Sequence, residues 1–108
     1  MHLAASIVIG KEVKNGQGEH LGKIEDLMVD TSTGAIIYAV LSFGGFLGIG
    51  EKLFAVPLQA MHVDSEDEQF LLNESKQRLR EAPGFDQDDW PDSADPHWCQ
   101  SVYDYYGI

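Results

Sequence analysis

The sequence predicts a mainly β domain, a small antiparallel barrel of about six short strands followed by a short helix and an acidic, aromatic tail. Three observations carry this. Short β-branched or apolar runs are separated by turn-forming residues at close spacing. No long run has a helical period before residue 75. All seven Lys and Arg lie within residues 1–80, whereas 81–108 holds seven acids and no base.

Residues 7–14 (IVIGKEVK) read as a first strand ending at Asn15-Gly16-Gln17-Gly18, where Asn and Gly accept the positive φ of a hairpin turn. A second strand spans about 21–30. Its apolar residues Ile24, Leu27, Met28 and Val29 break the period of two, which predicts a bulge near Glu25-Asp26. Residues 30–34 (DTSTG) form the next turn. The strand over 35–43 is apolar on both faces, with Ile37, Ala39, Leu41 and Phe43 on one and Ile36, Tyr38 and Val40 on the other, so it must be covered twice. Strands at 52–56, 61–64 and 69–72 complete the set, punctuated by Pro57 and the acidic turn 65–68. The strands are expected to end there.

Residues 75–81 suit a short helix stopped by Pro83-Gly84. In the tail, Asp95 is placed to cap a helix with Pro96 at its first position, and Trp98, Val102, Tyr105 and Tyr106 share one face of it. Six of the 11 aromatic residues lie in the tail, among them Phe85 and Trp90. That is too much apolar area for a solvated extension, so the tail is expected to pack on the barrel or on a neighbouring chain through Phe85, Trp90, Trp98, Val102, Tyr105 and Tyr106. The division is a domain over 1–80 and a tail over 81–108.

At 108 residues the chain has the length of one domain, which buries roughly two thirds of its unfolded surface. The formal net charge of −11 repels nucleic acid and anionic membranes, so direct nucleic-acid binding is disfavoured. The single Cys99 cannot form an internal disulfide, which favours a reducing, cytoplasmic setting. No secretory leader is expected at the start. The most apolar run, 35–50, is too short and too glycine-rich to span a bilayer, so no membrane span is expected.

Catalytic signatures fail on inspection. Residues 45–52 (GFLGIGEK) approach a phosphate loop, but Glu51 stands where Lys is required, Lys52 stands where Ser or Thr is required, and a strand follows instead of a helix. Asp86, Asp88 and Asp89 suggest a calcium loop, yet Pro91 and His97 occupy its glycine and glutamate positions. His2, His20, His62 and His97 have no zinc spacing, and Glu25 and Asp26 point to opposite faces of a strand. No catalytic residue, cofactor or metal ligand is assigned. What stands out is the apolar loop tip Phe46, Leu47 and Ile49 beside the outer face Ile36, Tyr38 and Val40, a candidate protein contact.

Three stretches, IGKEV at 9–13, GEHLGKIEDL at 18–27 and YAVLSFGGFLGIGEKLFAVP at 38–57, together resemble the PRC-barrel family, and the tail is similar to that of stand-alone bacterial members. The resemblance implies a six-stranded barrel, found also in the photosynthetic reaction-centre H subunit and in the ribosome maturation factor, whose shared activity is protein binding. It brings no catalytic residues. The expected function is a non-enzymatic interaction or assembly module, self-associating as a homodimer or holding another protein. The alternatives are a small-molecule or ion-binding regulator whose acidic tail closes a barrel mouth, or an accessory factor in ribosome/RNA processing or photosynthetic-complex assembly acting through protein contacts.

Overall fold

A computed structural model describes residues 2–43, 52–64, 69–86 and 96–108. The chain runs α1 (Ala5–Val8), β1 (Glu12–Lys14), β2 (His20–Val29), β3 (Ile36–Phe43) and β4 (Lys52–Val56), then a 3₁₀ turn (Leu58–Ala60). It continues as β5 (Met61–Asp64), β6 (Gln69–Leu72), α2 (Lys76–Arg80), β7 (Gly84–Asp86) and α3 (Pro96–Tyr105). The fold is mainly β, with seven strands in one sheet of order β5-β6-β1-β2-β3-β4-β7. Among the described residues no ladder joins the edge strands β5 and β7.

Four details differ from the sequence expectation. Residues 5–8 form one helical turn, of which Val8 is drawn into the core. Gly84–Asp86 adds a seventh strand on β4, pairing Leu53 with Phe85. The sheet is also not wholly antiparallel, since β1 and β6 run parallel with Val13 opposite Phe70. The chain leaves β4 through Pro57 and the 3₁₀ turn rather than through a hairpin, and so returns to the free edge of β1 in the same direction as β1.

The fourth difference concerns facing. The bulge expected at Glu25-Asp26 is present, as pairing steps from Ile24–Leu41 to Asp26–Val40. A second irregularity lies at the start of β3, where pairing steps from Met28–Tyr38 to Val29–Ile36 and passes over Ile37. The extra residue turns Ile36 to the face opposite Tyr38 and Val40. Ile36 therefore joins Leu27 and Phe70, while Ile37 packs with Tyr38.

The sheet curls round a core of Val13, Leu21, Ile24, Leu41, Phe54, Val56, Phe70 and Leu72, drawn from five strands, and α2 adds Leu79. One glycine is required by this curvature. Gly22 has φ +149°, and a Cβ there would stand 2.0 Å from the Ser42 carbonyl oxygen. Asn15, only 2 % exposed, locks the first turn. Its Oδ1 accepts from the amides of Gln17 (3.1 Å) and Glu19 (2.9 Å), and its Nδ2 donates to the Glu19 carboxylate (2.9 Å) and the Glu74 carbonyl (3.3 Å). Ser75 caps α2 by accepting from the Arg78 amide at 3.1 Å.

Candidate contact surfaces

A strand apolar on both faces leaves one face outside any curled sheet, and the chain covers that face with its own tail helix. Tyr38 and Val40 of β3, Leu53 and Ala55 of β4 and Phe85 of β7 form an outer cluster. Val102 of α3 is fully buried against it. Trp98, one turn earlier, sits 5.4 Å from the Tyr38 ring and 6.0 Å edge-on from Phe85. The Tyr103 hydroxyl donates to the Ile37 carbonyl at 2.5 Å, in the bulge of β3.

The far end of α3 is held by α2. Arg78 Nη2 donates to the Tyr105 carbonyl at 2.7 Å, the Tyr105 hydroxyl donates to the Arg78 carbonyl at 2.5 Å, and the guanidinium lies 4.2 Å from the Tyr105 ring centroid. Glu74 holds Arg78 Nε at 3.1 Å and keeps the guanidinium firmly protonated. Tyr106 packs between the inner and outer clusters.

Two hydroxyls under this helix, Tyr38 Oη and Tyr106 Oη, are buried without a hydrogen-bond partner. Burial pushes the Tyr38 phenol up to about 12, with the neighbouring Cys99 thiol adding to the shift. Burial, and then the charges of Glu74 and Tyr105, raise Tyr106 as well.

Tyr38 and Val40, expected to face a partner, are therefore occupied by α3, and Ile36 lies on the other side of the sheet. Of the tail residues, Phe85, Trp98 and Val102 meet on the outer cluster, Tyr106 touches both clusters, and Tyr105 packs on the inner one. Phe46, Leu47, Ile49, Trp90 and the capping Asp95 lie outside the described residues.

A second apolar surface lies beside α1. Leu3 and Val8 at α1, Leu27 and Ile36 at the bulged end of β2 and β3, and Val63 and Phe70 on β5 and β6 line a groove of about 250 Å³. Of the six large apolar side chains exposed among the described residues, Leu3 and Val63 line this groove, Ile7 and Ile9 adjoin its lining residue Val8 on α1 and its C-cap, and Val29 pairs with its lining residue Ile36. The sixth, Ile108, neither lines the groove nor adjoins one of its lining residues in the chain.

The sequence reading missed these residues because 7–14 was read as one strand, whereas residues 5–8 form a helical turn and the strand starts at Glu12. The legible signal was that residues 2–10 hold no Asp, Glu, Lys or Arg in a chain of net charge −11. Among the described residues, no group of three His, Cys, Asp or Glu side chains could hold a metal ion, and no helix is long and apolar enough to cross a membrane. A family model, the PRC-barrel domain, matches residues 2–79. No curated protein matches the chain.

Proposed function

Because the chain belongs to the PRC-barrel domain family, a protein-interaction type of fold, we propose that it is a non-enzymatic interaction module that associates with itself through apolar surface. The observation that carries this is an apolar groove lined by exposed Leu3 and Val63, with exposed Ile7 and Ile9 on either side of its lining residue Val8 in the chain and Val29 paired with its lining residue Ile36. Scattered exposed apolar residues are ordinary, but a contiguous patch is characteristic of contact surfaces.

The polar side chains support the same reading, because their bonds serve structure. Asn15 ties a turn, Ser75 caps α2, and Asp30 accepts from the Ser32 amide at 2.9 Å and hydroxyl at 2.6 Å, which lowers its pKa. Turn and cap side chains committed in this way to the scaffold leave apolar burial to supply affinity.

The test is the absolute mass in solution, by size-exclusion chromatography with light scattering from about 5 to 200 µM, a range that brackets micromolar self-affinity. A mass rising toward twice 12.0 kDa is the expected result. A constant 12.0 kDa across the range would refute self-association.

A further inference from the structure

We propose that two copies meet across a two-fold axis at the charge-free patch, α1 of one against α1 of the other, with Ile7 and Ile9 at the centre and Val63 beside them. This deepens the self-association reading above and rests on it. An isologous contact places the same patch on both copies, so each charge in it would be brought close to its own like. Most of this surface would suffer for that, because the chain carries 18 acids against seven bases.

The stretch 2–10 is free of that penalty, having no Asp, Glu, Lys or Arg. Of the acids next in sequence to Val63 and Val29, Asp64 pairs with Lys14 at 3.7 Å, and the Asp30 carboxylate, in the turn after β2, is turned into hydrogen bonds with Ser32. Stable interfaces bury roughly 800 Å² per partner, with charge depleted and apolar area concentrated at the centre. Ile7 (50 % exposed), Leu3 and Val63 (both 42 %) and Ile9 (39 %) supply such a centre, and exposed Ser6 and Gln59 add uncharged polar groups. A basic partner fits less well, because the patch itself offers no carboxylate for it to pair with.

The occupant leaves a signature in salt. Two like-charged copies repel at long range, so screening strengthens their association, whereas it weakens the binding of an oppositely charged partner. Sedimentation equilibrium of the full chain, Ile7→Glu and Ile108→Glu at low and high salt is the test. Ile108 is as exposed as Ile7 but neither lines the groove nor belongs to α1, and far-ultraviolet circular dichroism checks that each variant is folded.

The wild type and Ile108→Glu are expected to dimerise alike, about fivefold or more tightly at 300 mM than at 20 mM salt. Ile7→Glu, folded, is expected to dimerise at least about tenfold more weakly, as a charge placed opposite its own copy at the interface centre requires. A wild-type dimer unaffected by Ile7→Glu would overturn this assignment and leave self-association standing, with its contact elsewhere. A wild type that remains at 12.0 kDa would overturn both. A dimer that weakens with salt, or a monomer whose patch binds a basic Leu/Lys peptide instead, would also overturn the two-copy assignment.

Discussion

Replacing Gly22 with Ala perturbs a place where two strands approach too closely for any side chain. The new Cβ would lie 2.0 Å from the Ser42 carbonyl oxygen and 3.1 Å from its carbonyl carbon, both backbone atoms that no rotamer change can move aside. Ordinary contact needs more than a further ångström of separation. The neighbouring β2–β3 pairs, Lys23–Ser42 and Ile24–Leu41, cannot open that far and keep their hydrogen bonds.

One or two ladder bonds are lost, at about 0.5–1.5 kcal/mol each. A left-handed φ forced on Ala adds about 1–3 kcal/mol, and the tightly packed Leu21, Ile24 and Leu41 are displaced. The loss is roughly 3–5 kcal/mol, a large share of the ~5–15 kcal/mol that holds a domain. Thermal and urea melts followed by circular dichroism would read a fall in Tm of about 15–25 °C. Gly34→Ala is the control, having φ +78° but nothing within 4 Å of its new Cβ, so it bears conformational strain alone. A Gly22→Ala protein within about 1 kcal/mol of Gly34→Ala would refute the close-approach reasoning.

Two further predictions concern the tail helix. Val102→Asp places a carboxylate where the native side chain is fully buried, and α3 is expected to leave the sheet at a loss of about 2–3 kcal/mol, with tryptophan emission shifted to the red and a hydrophobic dye bound by the uncovered face; unchanged emission would contradict the docking described. The Tyr38 phenol is held near 12 in the folded chain against 10 for a free phenol, so the folded state keeps its proton longer; the associated stability is complete below pH 10 and is lost as pH rises through about 12. Tyr38→Phe removes an unpartnered hydroxyl, and should leave neutral stability the same or up to about 1 kcal/mol higher while flattening that alkaline fall, as read by urea melts between pH 8 and about 12.

How much of this was legible in sequence follows from the range of the interactions involved. The bounds of β4, β5 and β6 and the bulge at Glu25-Asp26 were readable, because alternation and turn residues are local. The short helix after Ser75 and the helix beginning at Pro96 were readable for the same reason. What escaped is set by distant partners. The helical turn at 5–8 consists of residues that suit a strand, and only its seat beside Leu27, Ile36 and Phe70 decides the matter. β7 has three residues and no pattern of its own, and exists because β4 offers an edge.

The site was legible in a similar measure. A doubly apolar strand announced that Tyr38 and Val40 need a cover, and the aromatic tail announced something able to supply one. The second irregularity in β3, which sends Ile36 to the opposite face, has no marker in the run Ile36-Ile37-Tyr38, where every residue is apolar. The α1 patch was written in an absence of charge, a property that alternation and helical period do not register.

The parallel pairing of β1 with β6 has a consequence for how the chain can be made. Val13 meets Phe70, so the outer edge of β1 stays bare until nearly two thirds of the sequence has been synthesised. The β2–β3–β4 meander assembles from near neighbours, at little cost in loop entropy. The partner of β1 arrives late, over a closure more than fifty residues long, and the Asn15 bond to the Glu74 carbonyl arrives with it. A nascent chain shorter than that holds a three-residue strand with a free side, too short to template much pairing with a stranger. Brevity at β1 thus protects the polypeptide during its own synthesis, at the one edge that topology leaves waiting longest.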